Sequence, residues 1–488
     1  MAFRQLLLSF KKSKLLMILL VVFFLKQLLM VAVFPVFQGP DETVHYARIQ
    51  YLAEPQEKTW ERKPPDPSKK TDSKDISTRN FSEELINTAE LVRTDEVIFS
   101  SSTTPVFSET DHGPWEETIK NSYWKKYLEN SQSNLNKNAP AYYIVPSLME
   151  KLLAQNDIFF RFFTERIFSA FLGVLIILLI YLIARKIGWD EKIAVLTATL
   201  VAFQPMFSQA AAIINYDILL IFTFTLFIYG AVWSLKDGLT WTNGIIMLST
   251  TALGIITKAP AIILALLLFV LAIYFARKHL KIRNDYFIAG TIIAALIALI
   301  ILENVAPGNH LNLLIRENNS HFDSAFQSVS KYISITLDRW SWSELSFWGN
   351  FGWLDTEITD WIVDLAHLVE IISIAGLIAY FAFPRKIPAF LPKRIFILFL
   401  LGIFIYLQLA IRFADWNHFD TSGKIEIGTH GRYFLPAITA QFILISIGLG
   451  MLARKYHIWK NILKVLSLSM ILLWAYSLLI IIIPRYYL

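Results

Sequence analysis

Long apolar segments alternate with short polar connections along most of the chain. Segments of about 20 apolar residues are long enough to cross a bilayer as helices. The pattern predicts an all-α integral membrane protein with about eleven transmembrane helices, at 15–37, 162–184, 193–213, 216–235, 241–257, 259–276, 286–303, 362–383, 395–411, 433–453 and 463–484. The stretch from Trp241 to Phe275 exceeds one crossing and Lys258-Ala259-Pro260 interrupts it, which predicts a hairpin of two shorter helices.

The basic residues indicate how these helices are oriented. They cluster at the N-terminus and at Arg185-Lys186, Arg277–Arg283, Arg385-Lys386, Lys393-Arg394 and Arg454-Lys455. Cytoplasmic loops are enriched in Lys and Arg, and the clusters share one side only if the hairpin is present, so we expect a cytoplasmic N-terminus. The first apolar segment is too long for a signal peptide and lacks a small-residue cleavage site, so we expect an uncleaved helix.

The predicted organisation is a single polytopic membrane domain, 1–488, with two large extracytoplasmic loops. The first loop, 38–161, contains a charged, proline-bearing insertion at 54–80 that we expect to be solvated. The second loop, 304–361, is dense in Trp and Phe. A shorter outer loop, 412–432, contains the sequence GTHGRYFLP.

The composition agrees with a membrane protein and limits the kinds of site that the chain can form. Hydrophobic residues make up 55% of the chain and charged residues 17%. The formal charge of +6 lies in short clusters between apolar segments, which excludes a nucleic-acid partner as the explanation. Without cysteine, disulfides and Cys-based metal sites are excluded. No metal-ligand spacing or nucleotide fingerprint is present, so we expect no cofactor; a divalent metal is the less favoured alternative.

Polar residues gather at the outer ends of the predicted helices. The segment FPVFQGPDETVHYARIQYL directly follows the first helix. The candidate site residues are Asp41, Glu42, His45, Arg48, Arg166, Asp217, Lys258, His430 and Arg432. A carboxylate can act as a general base, and Lys or Arg can neutralise a phosphate. Groups from distant positions at one depth therefore predict a site for a substrate with a polar head and a lipid tail, such as a polyprenyl-phosphate sugar.

Structural explanations compete with each of these roles. Acidic residues favour a helix N-terminus, cations at helix ends extend to lipid head groups, and lone histidines are usually hydrogen-bonded. The aromatic residues of SFWGNFGWLD would suit an interfacial belt as well as a sugar-stacking surface. Lys26, near the middle of the first helix, is a functional candidate by default, and the conservative expectation is that it faces the bundle.

Seven motifs carry a family resemblance. They are PVFQGPDETVHYAR, NAPAYYIVPSL, RIFSAFLG, QPMFSQAAAIINYD, ITKAP, SFWGNFGWLD and GTHGRYFLPA. In this order they resemble the motifs of a family of bacterial polytopic membrane proteins of unknown function, placed near the GT-C superfamily of glycosyltransferases. The resemblance covers most of the chain, but the 54–80 insertion matches no motif of the family.

The resemblance implies a GT-C-like fold and an inverting sugar transfer from a polyprenyl-phosphate donor. The acceptor would be a hydroxyl of an envelope glycan or a lipid-linked acceptor, outside a bacterial cytoplasmic membrane. By position in the motifs, the roles would be catalysis by Asp41 and Glu42, donor-phosphate binding by Lys258, Arg432, Arg166 and His430, and substrate binding by His45, Arg48, Asp217, Trp348 and Trp353.

Three other kinds of protein remain open, one of which is an assembly partner without activity that would bind no lipid phosphate. A lipid-linked glycan flippase or transporter would need charged residues lining a path through the bilayer, and Lys26 is the main residue that fits such a path. An O-antigen-ligase or polymerase-like enzyme would use a diphosphate-linked oligosaccharide instead of a monophosphate-linked sugar.

Overall fold

A computed structural model describes residues 13–53, 82–100, 102–105, 141–280, 323–425 and 430–488. In its first half the α-helices are α1 Lys14–Val33, α2 Glu42–Ala53, α3 Glu83–Leu91, α4 Thr94–Val97, α5 Ile144–Leu152, α6 Ile158–Lys186, α7 Glu191–Ala202, α8 Pro205–Ala210, α9 Asp217–Asp237, α10 Trp241–Ile255 and α11 Ile262–Leu280. The 54–80 insertion, the predicted helix at 286–303 and much of both outer loops lie outside the described residues.

The second half continues with helices and one short hairpin. Its elements are α12 Ala325–Asp338, α13 Trp340–Trp348, β1 Asn350–Phe351, β2 Thr356–Glu357, α14 Asp360–Ala382, α15 Arg394–Ser422, α16 Ile438–Ala453, α17 Tyr456–Tyr476 and α18 Ile483–Tyr487, with 3-10 turns at Ala259–Ala261, Pro384–Lys386 and Gly431–Ala437 and a π-helical turn at Ser477–Ile482. The antiparallel strands pair Asn350 with Glu357 and Phe351 with Thr356. The first strand lies within the aromatic motif SFWGNFGWLD and the second directly follows it, so the hairpin adds a small β element to the predicted all-α fold.

The described residues contain 8 helices long and apolar enough to cross a membrane. Two further predicted spans are helical but short. The segment 193–213 is divided into α7 and α8, because Pro205 begins a new helix and the Gln204 side chain caps it. The segment 241–257 forms α10, which has 15 residues. The predicted interruption at Lys258-Ala259-Pro260 is present, since α10 ends at Ile255 and α11 begins at Ile262.

The helices differ in how much of their surface the protein covers. Gly431–Ala453 is mostly buried inside the bundle, and α6 and α9 are more than half buried. In contrast, α14 exposes Leu365, Leu368, Ile374 and Ile378. Exposed apolar side chains along a long helix are expected where lipid is the solvent. The fold is therefore that of a multi-pass membrane protein with α14 at its periphery.

Helix α14 packs closely against the buried helix α16. A Cβ atom on Gly376 would lie 2.0 Å from the carbonyl oxygen of Gly448, and one on Gly448 would lie 2.1 Å from the carbonyl oxygen of Ser373. Small residues allow membrane helices to approach until their backbones touch. The two glycines are therefore needed for α14 to pack on the core.

We predict that Gly376→Ala destabilises the protein by about 1–3 kcal/mol or more, because the added methyl must displace backbone atoms. Thermal unfolding in detergent, followed by tryptophan fluorescence, measures the effect. Gly244→Ala is the matched control, since a Cβ there meets only the Leu239 side chain at 3.8 Å and helical Gly→Ala is otherwise favourable. Equal melting temperatures for the two variants would contradict the predicted contact.

Candidate functional site

The turn between α1 and α2 carries Asp41. Helix α1 ends at Val33, before Pro35, and α2 begins at Glu42. In the turn, Phe37 (φ 63°) and Asp41 (φ 59°) have the left-handed backbone conformation. That conformation is unfavourable for a bulky residue and persists only where surrounding contacts enforce it. The Asp41 side chain is 53% exposed, so the turn presents its carboxylate at the surface.

Glu42, the next residue, is completely buried and paired with Arg166. Arg166 donates from Nε to Oε1 (2.8 Å) and from Nη2 to Oε2 (2.6 Å), and also to carbonyl oxygens of the preceding turn. Glu42 accepts two further hydrogen bonds, from the backbone N–H groups of Gly39 (3.1 Å) and Ile214 (2.9 Å). Because these contacts occupy both ionic groups inside the protein, they favour a structural role over catalysis by Glu42 or phosphate binding by Arg166.

Three aromatic side chains hold the same turn from other sides. Trp353 donates from Nε1 to the Phe37 carbonyl (3.2 Å), and the Tyr487 hydroxyl donates to the Val33 carbonyl (2.8 Å). The Phe37 ring packs edge-on against Phe162, with 4.9 Å between centroids. The strained turn is therefore fixed by contacts, and the carboxylate that it carries is pre-organised.

Arg432 brings a guanidinium group to Asp41. Its Nη2 lies 3.6 Å from Asp41 Oδ2 and donates to the Tyr433 hydroxyl at 3.4 Å. Its Nε and Nη1 atoms are buried and have no hydrogen-bond partner among the described residues. Buried N–H groups without acceptors are costly, and an anionic ligand would satisfy them.

Lys258 is already paired. Its Nζ donates to Asp217 Oδ1 (2.7 Å) and lies 4.6 Å and 4.7 Å from the ring centroids of Tyr216 and Tyr433. Burial lowers the pKa of Lys258, but the attraction of Asp217 and the two tyrosines outweighs burial and raises this pKa above its ordinary value. Lys258 therefore remains a cation whose charge Asp217 balances. We call Asp41, His45, Asp217, Lys258 and Arg432 the outer cluster.

The two predicted histidines are neutral groups at neutral pH. Burial lowers the pKa of His45 to about 4, despite the opposing attraction of Asp41. Burial, together with repulsion from Arg432, lowers the pKa of His430 to about 4. His45 Nδ1 lies 2.7 Å from the Tyr143 hydroxyl, so it acts as a hydrogen-bonding group. Within the described ranges, no three His, Asp or Glu side chains are grouped as metal ligands.

Two other predicted residues are held by aromatic contacts. Arg48 is buried, with its guanidinium 5.4 Å from the ring centroid of Tyr51. Trp348 is also buried and packs edge-on against Phe347 (5.5 Å) and Phe442 (6.1 Å). These contacts favour a packing role for Trp348 over sugar stacking.

Lys26 faces the bundle, as the conservative expectation had it. Its Nζ donates to the Ala202 carbonyl (2.5 Å) and to Ser208 Oγ (2.6 Å), and it lies 4.7 Å from the Phe23 ring centroid. Ala202 is the last residue of α7, so the ammonium group sits at the negative end of that helix dipole. The contacts explain this buried cation as a helix cap.

Three tyrosines that contact the outer cluster were not among the site residues predicted from the sequence. Tyr216 and Tyr433 enclose Lys258, and Tyr143 orients His45. A signal was available, because each tyrosine lies inside a motif that was identified for its ionic residues: INYD, GTHGRYFLPA and NAPAYYIVPSL.

We predict that loss of charge lowers the stability of the protein much more at Glu42 than at the adjacent Asp41. Glu42→Gln leaves the buried Arg166 without its counter-ion, so we expect a loss of about 3–5 kcal/mol of stability. Asp41→Asn is the matched control: its side chain is half exposed, and Asn tolerates the left-handed conformation. Thermal unfolding in detergent tests the pair, and similar melting temperatures for both variants would argue against the structural role of Glu42.

Comparison with known proteins gives one match. Residues 23–440 match a family described as "Predicted membrane protein (DUF2142)". No curated protein and no solved structure is significantly similar to the chain. The matched residues extend from the first membrane helix to the start of α16 and so cover most of the sequence. The chain therefore belongs to the DUF2142 family of predicted membrane proteins.

Proposed function

We propose that the protein is a GT-C-type glycosyltransferase that takes a sugar from a polyprenyl-phosphate donor at the outer face of a bacterial cytoplasmic membrane. The acceptor is a hydroxyl of an envelope glycan or of a lipid-linked acceptor. The proposal rests on the 3.6 Å distance between Arg432 Nη2 and Asp41 Oδ2. This distance places a guanidinium group, two of whose nitrogen atoms have no hydrogen-bond partner among the described residues, beside a pre-organised carboxylate. The resemblance of the motifs to those of a family placed near the GT-C superfamily supports the same function.

The location of the outer cluster suits a lipid-linked donor. Asp41 follows α1, Lys258 directly precedes the span Ala259–Lys278, and Arg432 lies at the start of the span Gly431–Ala453. A polyprenyl tail dissolves in the bilayer and leaves its phosphate at the head-group level, where helix ends meet water. The phosphate then reaches the cluster without leaving the membrane.

The proposed reaction is an inverting displacement. Asp41 accepts the proton of the acceptor hydroxyl while the hydroxyl oxygen forms a bond to the anomeric carbon. The bond between that carbon and the phosphate oxygen breaks, its electron pair stays with the oxygen, and polyprenyl phosphate leaves. The phosphate gains negative charge in this step, so a fixed guanidinium such as Arg432 stabilises the transition state more than the bound donor.

The cations of the outer cluster support a monophosphate donor over a diphosphate. The carboxylate of Asp217 neutralises the charge of Lys258, and His45 and His430 are uncharged. Arg432 is therefore the cation of the outer cluster whose N–H groups lack partners among the described residues. One guanidinium fork matches one phosphate group. A diphosphate-linked oligosaccharide, the donor of ligases and polymerases, would bring a second phosphate without a matching open cation in the described cluster.

We predict that Asp41→Asn lowers turnover by about 10²–10⁴-fold, because the general base is lost, while the KM for the donor changes little. Purified protein, a short-chain polyprenyl-phosphate sugar and a glycan acceptor provide the assay, with product measured by mass spectrometry. Asp364→Asn, which removes an exposed carboxylate from α14, is the control and should retain activity. Wild-type turnover by Asp41→Asn would remove Asp41 as the base.

We predict that Arg432→Gln raises the KM for the donor and lowers kcat, because the guanidinium contacts the phosphate in both states. Arg432→Lys should recover part of the loss, since it keeps the charge but lacks the planar fork. Arg339→Gln, at an exposed arginine, is the control. If all three variants bind and turn over the donor like the wild type, Arg432 does not hold the phosphate.

The product of the reaction distinguishes a flippase from a glycosyltransferase. Proteoliposomes with the lipid-linked sugar on one leaflet would show its movement to the other leaflet without any new glycosidic bond if the protein were a flippase. Sugar transfer in detergent, where no leaflets exist, supports the enzyme.

A further inference from the structure

A second buried ionic network lies between α2, α3, α5 and α6, and the proposed reaction does not use it. Arg161 on α6 forms ion pairs with Glu84 on α3 and Glu150 on α5. Glu165, one turn further along α6, is completely buried. Among the described residues neither of its carboxylate oxygens has a hydrogen-bond donor, and its nearest ionic neighbours are Glu150 and Arg161. We call Glu84, Glu150, Glu165 and Arg161 the loop network.

Neutral groups complete the network. The Tyr46 hydroxyl lies 3.3 Å from both oxygens of Glu150, and Gln50 donates from Nε2 to Glu84 Oε2 (3.0 Å). Both residues belong to α2, the helix that begins directly after Asp41. The hydroxyl of Tyr142 adds a further titratable neighbour of Glu165. The loop network therefore joins the first outer segment of the chain to the membrane helix α6.

The charges of the loop network do not balance. Among the described residues, three carboxylates face one guanidinium in a region where the side-chain exposure of Arg161, Glu84 and Glu150 is 0–3%. Buried like charges at close range cannot all remain ionised, and one carboxyl keeps its proton. Glu165 is the best candidate to keep a proton, because its protonated carboxyl group can donate a hydrogen bond to Glu150. An ionised Glu165 would accept no hydrogen bond from the described residues. Glu84 is affected too: burial, reinforced by Glu150, raises the pKa of Glu84 to about 7 despite Arg161.

We propose that the loop network is a proton-dependent latch, which holds α3 and α5 against α2 and α6 when one carboxyl is protonated and loosens when that proton is lost. This inference is independent of the proposed glycosyl transfer, because it concerns only the packing of the outer segment.

The direction of the pH effect follows from the raised pKa of Glu84. A carboxyl whose pKa is higher in the folded state stabilises the fold below its unfolded pKa of about 4.3, and this stabilisation is lost as the pH rises through the folded value. With a folded pKa of about 7, the loss occurs as the pH rises from about 4.3 to about 7. The latch is therefore closed in acid and loosened at neutral and higher pH.

The test combines stability and local exchange. Wild-type protein in detergent should show a melting temperature that falls from pH 5 to pH 8. Glu84→Gln should flatten this decrease, because it removes the carboxyl whose pKa is about 7 and leaves two carboxylates for one guanidinium among the described residues. Glu90→Gln, which removes an exposed carboxylate from α3, should keep the wild-type slope.

If Glu84→Gln does not fold, hydrogen exchange of the wild-type protein still tests the proposal. After correction for intrinsic rates, exchange in Glu83–Leu91 should accelerate by up to about tenfold per pH unit between about pH 5 and pH 7 and level off above pH 7, as expected for loss of one proton. Helix α16, Ile438–Ala453, contains no ionisable side chain and should not change. A melting temperature independent of pH, an unchanged slope in folded Glu84→Gln, or equal pH responses of α3 and α16 would each overturn the latch.

Discussion

The rest of the site depends on the buried ion pair between Glu42 and Arg166. An ion pair removed from water is stable only when its remaining hydrogen bonds are satisfied. Here the carbonyl groups after α1 and the N–H groups of Gly39 and Ile214 satisfy them. One guanidinium therefore joins the end of α1, the start of α2, helix α6 and the connection before α9. The same pair draws Glu42 inward and leaves Asp41 on the outer side of the turn.

As a result, basic residues that look alike in the sequence have different roles in the structure. Arg166 is used in folding and Lys258 is balanced by Asp217, whereas Arg432 keeps N–H groups without described partners. A strained turn fixed by aromatic contacts holds the exposed carboxylate of Asp41 beside that open cation. Rigid placement of a base and a cation is what an enzyme needs if it is to favour a transition state over its substrate.

Much of this architecture was predictable from the sequence. Apolar segments of about 20 residues have few alternatives to membrane helices, and proline marks the break after Lys258. The predicted helix ends also placed Asp41 and Arg432 at the same depth in the membrane. The inward direction of Glu42 was not predictable, because it depends on two left-handed residues and on an arginine 124 positions away. The loop network was missed for a similar reason, since its members lie on three helices that are separated in the sequence.

The central claim is that the outer cluster receives the phosphate of a lipid-linked donor beside Asp41. A cryo-electron microscopy structure of the protein with a polyprenyl monophosphate tests this most directly. We expect the phosphate to lie within hydrogen-bond distance of the Arg432 guanidinium, next to the Asp41 carboxylate, with the tail running along the outside of the membrane helices. A phosphate bound at the opposite end of the bundle, or along a path past Lys26, would contradict the claim.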